Sequence, residues 1–119
     1  MKATALAITN DGKWAIAAGI IQGSDFTGVG VAAYVPELNN YDSIAAVVFG
    51  SASPNAVAMT NDHLWAITGH EDGTVGVYYF NAQLDEYPIN QTIKPNNISV
   101  VSLSISNDHQ YLAIGYDGN

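Results

Sequence analysis

The chain has 119 residues, enough for one ordinary domain, and 11 acidic side chains against 3 basic ones give a formal net charge of -8 at pH 7. Nucleic acids and anionic membrane surfaces repel such a chain, so we expect neither as a partner. Apolar residues make up 48% of the sequence, which favours a packed core over disorder. The absence of cysteine excludes disulfides, thiolate nucleophiles and cysteine metal sites.

The N-terminal segment and the hydropathy pattern indicate a cytoplasmic protein. The apolar residues 3–8 are followed at once by Asn10, Asp11 and Lys13, too early for the apolar region of a secretory signal. The sequence contains no run of roughly 18 apolar residues, the length that a membrane-spanning helix needs. We therefore expect a soluble, cytoplasmic chain.

Three segments of the chain repeat one pattern: an alternating apolar stretch, Ser or Thr, Asn-Asp, two further residues, an aromatic residue and an apolar residue. The Asn-Asp pairs begin at Asn10, Asn61 and Asn107, which gives spacings of 51 and 46 residues. Residues 29–31 and 75–77 both read Val-Gly-Val and lie 46 residues apart, so the five extra residues of the first repeat lie before this motif. A constant period with one loop insertion indicates a structural repeat.

Each complete repeat is predicted to form four short strands. Asn10-Asp11-Gly12 is a tight-turn signal between the first two strands, and Asp72-Gly73 is the turn between the second and third strands of the next repeat. Short, regularly spaced strands separated by turn residues indicate an all-β domain, because no stretch sustains helical periodicity. The predicted strands cover residues 5–9, 13–18, 29–34, 43–49, 56–60, 64–68, 74–80 and 89–94.

Four strands per unit of about 46 residues are the dimensions of a β-propeller blade. Residues 61–77 and 106–118 resemble the second strand, turn and third strand of the WD40 family, although the family's terminal Trp-Asp and its Gly-His before the innermost strand are absent. Other propeller families with the same blade length stay open. The resemblance implies antiparallel four-stranded blades in an incomplete ring. The predicted partial propeller spans 1–119, with one blade at 3–52, a second at 53–98 and a half blade at 99–119.

Two and a half blades leave apolar faces without neighbours, because a ring typically takes about four to eight blades. We interpret the chain as part of a longer propeller whose remaining blades lie on further sequence. The alternative is that several copies complete a ring by self-association. Simple head-to-tail closure would leave the half blade unfilled, which favours the first interpretation.

Two residue types recur with the fold and are predicted to be structural. An aspartate in a tight turn accepts backbone N–H bonds, and this role is predicted for Asp11, Asp62, Asp72, Asp108 and Asp117. The aromatic residue at one repeated position is predicted to be blade core, namely Trp14, Trp65 and Tyr111. His63 and His109 occupy equivalent turns of different blades, a spacing unlike that of a metal site, so no metal is predicted.

The expected function is a non-catalytic protein-interaction scaffold, a WD40-like propeller segment in a larger assembly. We find no convergent nucleophile, base and orienting acid, so we predict no catalytic residue and no cofactor. The acidic surface favours partners with basic segments. Asn-rich, cysteine-free repeats of this kind also resemble those of cytoskeletal, actin-interacting and ciliary scaffolds. Partner contacts are predicted in two irregular loops, at Ile21, Asp25, Phe26 and Tyr87.

Two other functions stay open from the sequence. One is a ligand-binding or enzymatic propeller whose central-channel site needs further blades. The other is a self-assembling repeat with a purely structural role.

Overall fold

The computed structural model describes residues 2–20, 27–49, 54–83 and 89–118. These residues form ten β-strands and one turn of 3-10 helix, Pro36–Leu38. The eight strands predicted in the first two repeats are confirmed, with ends that differ by a few residues. The strands are β1 Lys2–Ile8, β2 Trp14–Ile20, β3 Thr27–Val35, β4 Asn40–Phe49, β5 Pro54–Met59, β6 Trp65–His70, β7 Val75–Tyr79, β8 Ile89–Ile93, β9 Val100–Ile105 and β10 Leu112–Tyr116.

The strands form three antiparallel sheets in chain order, as expected for propeller blades. Blade 1 is β1-β2-β3-β4, blade 2 is β5-β6-β7-β8, and the half blade is β9-β10. Within each sheet every strand pairs with the next in an antiparallel direction, because the connections are shorter than the roughly dozen residues that a parallel crossover needs. The all-β, antiparallel fold class is thereby confirmed, and the described residues form no closed ring.

Alternate side chains of the innermost strand β5 bury two different interfaces. Val57 and the partly buried Met59 pack against blade 1. Ala56 and Ala58 point to the other face of the sheet and pack against the half blade. Because both faces of a central blade are covered, its strands read as apolar runs rather than as alternating apolar and polar residues.

The two outer faces of this stack differ in chemistry. On β1, Leu6 is 73% exposed and Ile8 is 58% exposed, at the positions that Val57 and Met59 occupy in blade 2. On β9 the corresponding outward positions are Ser102 and Ser104, which are exposed, where blade 2 has the buried Ala56 and Ala58. One outer face therefore presents large apolar side chains, and the other presents hydroxyls along its inner strand.

Candidate functional site

The turn between the first two strands of a blade is built in the same way three times. In blade 2, the Thr60 hydroxyl donates to Asp62 Oδ1 at 2.6 Å, and the Leu64 N–H donates to the same oxygen at 3.0 Å. The Thr60 N–H donates to the Trp65 carbonyl at 3.0 Å, and this bond closes the hairpin. Equivalent bonds are made by Thr9, Asp11, Lys13 and Trp14 in blade 1, and by Ser106, Asp108, Gln110 and Tyr111 in the half blade.

Hydrogen bonds between blades align these three turns. The Asn10 N–H donates to Asn61 Oδ1 at 2.8 Å, and the Asn61 N–H donates to Asn107 Oδ1 at 2.9 Å. The turns thus lie side by side along one rim of the sheets. We call this surface, residues 9–14, 60–65 and 106–111, the turn ridge.

The turn ridge carries three carboxylates that are ionised at neutral pH. The hydrogen bond from Thr9 lowers the pKa of Asp11, and the bond from Ser106 lowers that of Asp108. Burial raises the pKa of Asp62, but hydrogen bonds and the charge of His109 outweigh it, so the pKa lies below the ordinary value. All three carboxylates are exposed, so a basic group can reach them from solvent.

Histidines of the turn ridge connect neighbouring blades. The His63 ring is stacked on Trp14 of blade 1, with centroids 3.8 Å apart and planes 11° from parallel. His109 donates through Nε2 to Asp62 Oδ2 at 3.0 Å, which joins the half blade to blade 2. Both histidines have positive φ, 58° and 64°, at the turn position where blade 1 has Gly12. Burial lowers the pKa of His63, so its ring is neutral at pH 7.

The other predicted structural residues have different surroundings. Asp72 Oδ1 accepts the Thr74 N–H at 2.9 Å, and this bond lowers the pKa of Asp72. At Asp117 the bond runs through the backbone, whose N–H donates to the Ser99 carbonyl at 2.9 Å. Trp14 and Trp65 are half-buried, with Trp14 packed against the core between blades 1 and 2.

Tyr111 is not a core residue in this structure, because its side chain is 75% exposed. It lies at the position of Trp14 and Trp65, which face the following blade, and the described residues place no blade on that side of the half blade. The predicted partner-contact residues Ile21, Asp25, Phe26 and Tyr87 lie outside the described residues.

Two groups of residues escaped the sequence analysis. Asn61 and Asn107 were part of the repeat, but their contacts between blades require that the turns be aligned in space. In blade 2, Thr68 Oγ1 lies 3.0 Å from His70 Nε2, and both side chains are buried. Burial raises the pKa of Tyr78, and the neighbouring Thr68 hydroxyl opposes this shift. The recurrence of Asn before each turn aspartate was the signal that could have identified the first group.

The described ranges contain no group of three or more His, Asp or Glu side chains arranged to hold a metal ion. Within the same described ranges, no helix is both long enough and apolar enough to cross a membrane.

Comparison with known proteins supports the fold. No protein-family model and no curated protein sequence matches the chain. The chain is similar to the C-terminal WD40 domain of Sif2, with a TM-score of 0.70 and 16% identity over 98% of this chain and 32% of that one. It is equally similar to PpgL, the periplasmic gluconolactonase of Pseudomonas aeruginosa, with a TM-score of 0.70 and 16% identity over 93% of this chain and 35% of that one.

These likenesses define the class of the chain. It has the fold of β-propeller blades and spans about a third of the length of the two solved propellers. One of these structures is a WD40 domain and the other is an enzyme, so the likeness establishes the architecture and leaves the function to the chain's own surface.

Proposed function

We propose that this chain is part of a non-catalytic protein-interaction scaffold, a propeller segment in a larger cytoplasmic assembly. The turn ridge carries the proposal, because it holds three exposed carboxylates on one rim in three identical turns. Basic segments of a partner protein are the groups that such a surface attracts. The net charge of -8 strengthens this preference at long range.

The rigidity of the turn ridge also supports a binding role. Each carboxylate is fixed by a hydroxyl and a backbone N–H, as Asp62 is by Thr60 and Leu64. The hydrogen bonds from Asn10 to Asn61 and from Asn61 to Asn107 hold the three turns in register. A surface that is ordered before binding loses little conformational entropy when a partner arrives.

An enzymatic propeller is the second candidate, and the likeness to the gluconolactonase PpgL supports it. A channel site would draw side chains from all blades of a ring. Hydrolysis of a sugar lactone by the chain, followed as acid release, would replace the scaffold proposal.

The test removes charge from the turn ridge while keeping the hydrogen bonds within each turn, although the bond from His109 to Asp62 is lost. In the triple variant D11N/D62N/D108N, each amide oxygen still accepts the turn N–H, but three negative charges are lost. The control E37Q/E71Q/D117N removes the same charge from exposed positions outside the turn ridge. The probe is a fluorescein-labelled peptide of alternating lysine and glycine, and its anisotropy gives the affinity at low and moderate salt.

We expect the ridge variant to bind the lysine peptide several-fold more weakly than the control variant, and added salt to weaken binding to the unsubstituted chain. Equal losses in the two variants would show that the peptide senses only overall charge, and the proposed site would be rejected. Binding that strengthens with salt would contradict the electrostatic basis altogether.

A further inference from the structure

Two histidines of the turn ridge occupy the turn position at which blade 1 has glycine. His63 and His109 have φ values of 58° and 64°, close to the 72° of Gly12. A residue other than glycine is uncommon at positive φ, and strained backbone positions of this kind cluster at functional sites. The turn itself does not require histidine, because glycine serves in blade 1. The two imidazoles therefore call for an explanation beyond the fold.

The His109 imidazole contacts a carboxylate of the preceding blade. Its Nε2 lies 3.0 Å from Asp62 Oδ2, whereas Asp62 Oδ1 is already bound by two donors of its own turn. The other groups that face this imidazole are the carboxylate of Asp108 in the same turn and the rings of Trp65 and Tyr111. Both members of the pair are accessible, with 31% of His109 and 43% of Asp62 exposed. A proton from solvent therefore converts this contact into an ion pair.

The His63 imidazole lies at the equivalent place between blades 1 and 2. It is stacked on Trp14 at 3.8 Å, and the Phe80 ring packs edge-on against it at 5.1 Å. The charged groups that act on it are Asp62 of its own turn and Asp11 of the preceding blade, and both favour its protonated form. Burial opposes them and lowers the pKa of His63, so this ring takes up its proton below pH 6.5.

The net charge of the turn ridge is small enough for two protons to cancel it. The ridge holds three aspartates and one lysine, Lys13, so three negative charges and one positive charge give -2 while both imidazoles are neutral. Protonation of His63 and His109 brings this sum to zero. The three carboxylates stay ionised in mild acid, because their pKa values lie below the ordinary 3.8. Histidine is the side chain that ordinarily changes its charge between about pH 5 and 8.

We propose that His63 and His109 make the turn ridge a pH-dependent binding site, which holds basic segments of a partner at neutral pH and releases them in mild acid. Protonated His109 then pairs with Asp62, and protonated His63 adds a positive charge near Asp11. A lysine of the partner meets a surface without net charge. The proposal rests on the proposed function, because it regulates the same site. All of its contacts lie among residues of the turn ridge and Phe80, so it holds in a longer propeller as well.

The test compares the affinity of one peptide at two pH values. The probe is the labelled lysine–glycine peptide with blocked termini, so that no group of the peptide itself titrates between pH 7.5 and 5.5. Its anisotropy gives the affinity at each pH and at one low salt concentration, for the full 119-residue chain and for its variants. The ratio of the two affinities is the quantity compared, and circular dichroism at both pH values checks that each protein is folded.

Two double variants separate the imidazoles from the rest of the turn. H63N/H109N replaces both rings with amides that do not titrate, and asparagine is among the residues that adopt positive φ most readily. The control L64N/Q110N introduces the same amides one position later in the same turns, where blade 1 has the polar Lys13, and it keeps both imidazoles. His70 is buried outside the turn ridge and is common to all of these proteins.

We expect the unsubstituted chain and L64N/Q110N to bind the peptide at least about threefold more weakly at pH 5.5 than at pH 7.5, since each proton offsets one exposed carboxylate. For H63N/H109N we expect the two affinities to agree within about 1.5-fold, because the carboxylates keep their charge over this range.

Equal pH dependence in H63N/H109N and L64N/Q110N would overturn the proposal and leave the proposed function standing. The proposed function is tested at pH 7.5 alone, by D11N/D62N/D108N and its control. If that charge variant binds as well as its control at pH 7.5, the proposed function fails and the pH dependence assigned to it fails with it. Should H63N/H109N not fold, the single variant H109N changes only an accessible ring. A pH ratio in H109N equal to that in Q110N would then overturn the proposal, and a smaller ratio would support it.

Discussion

The hydrogen bonds between blades can be tested by substituting the asparagines that accept them, and the chain offers a matched control. Asn61→Ala and Asn107→Ala each remove the side-chain acceptor of one bond between blades, from Asn10 N–H and Asn61 N–H respectively. Asn10→Ala is the matched control, since it makes the same change in the same turn type without removing the acceptor of either bond. A net hydrogen bond contributes about 0.5–1.5 kcal/mol, and water can replace an exposed acceptor, so we expect losses of about 0.5–1 kcal/mol.

This loss of unfolding free energy converts to a measurable decrease in melting temperature. An unfolding entropy of about 2.1 cal/mol/K per residue over 119 residues gives about 250 cal/mol/K, so the expected decrease is about 2–4 °C for each single variant. The double variant N61A/N107A removes both bonds, and because Asn61 takes part in both, the difference between its loss and the sum of the single losses measures their coupling. Thermal melting followed by circular dichroism compares the four variants with the unsubstituted chain. If N10A melts as low as N61A, the loss comes from the turn itself and the argument for coupling between blades is refuted.

Three further predictions concern His63, the glycines Gly73 and Gly30, and Asp62. The pKa of His63 in the folded chain is lower than its ordinary value of 6.5, so the unfolded chain binds a proton more readily and stability falls as the pH drops below 6.5. His63→Asn should therefore show a smaller decrease in melting temperature between pH 7.5 and 5.5 than the unsubstituted chain. Gly73→Ala should lower the free energy of unfolding by at least about 1 kcal/mol, because φ is +90° and the new Cβ would overlap the Asn96 carbonyl oxygen. The control Gly30→Ala, whose Cβ would meet no atom within 4 Å, should be neutral or stabilising in the same urea titrations. The pKa of Asp62 is lowered by its partners, so the stability that its carboxylate contributes is present above a pH of about 4 and is lost in more acid solution. The stability of Asp62→Asn should therefore depend less on pH below about 4 in acid-unfolding curves. Curves parallel to those of the unsubstituted chain would count against this ionisation.

Local patterns in the sequence predicted most of the fold. Alternation and the repeated Ser/Thr-Asn-Asp turn located the first eight strands, because tight turns depend on side chains only two or three residues away. The ends were predicted less well. β1 begins at Lys2 rather than at residue 5, since its pairing continues past a register shift at Thr4 that the alternating pattern does not reveal. The 3-10 turn Pro36–Leu38 is too short to leave a periodic signal.

Contacts between blades were beyond the reach of the repeat pattern. The pattern assigned Trp14, Trp65 and Tyr111 to one position, and the structure keeps them there. Their burial differs because it depends on whether a neighbouring blade covers that position, and Tyr111 is left 75% exposed. A cavity beside Trp65, between blade 2 and the half blade, has the same origin, because it is defined by two sheets that lie apart in sequence.

The serines of β9 have a consequence for the way copies of this chain meet at high concentration. A head-to-tail contact would press the exposed Leu6 and Ile8 of one copy against the Ser102 and Ser104 side of the next. Such a contact joins two different surfaces, so it can be repeated from copy to copy. Hydroxyls buried against leucine and isoleucine without hydrogen-bond partners cost about 1–3 kcal/mol each, a penalty that Ala56 and Ala58 do not impose between blades within the chain. The two serines therefore disfavour head-to-tail association of copies, and their replacement by alanine would remove that penalty.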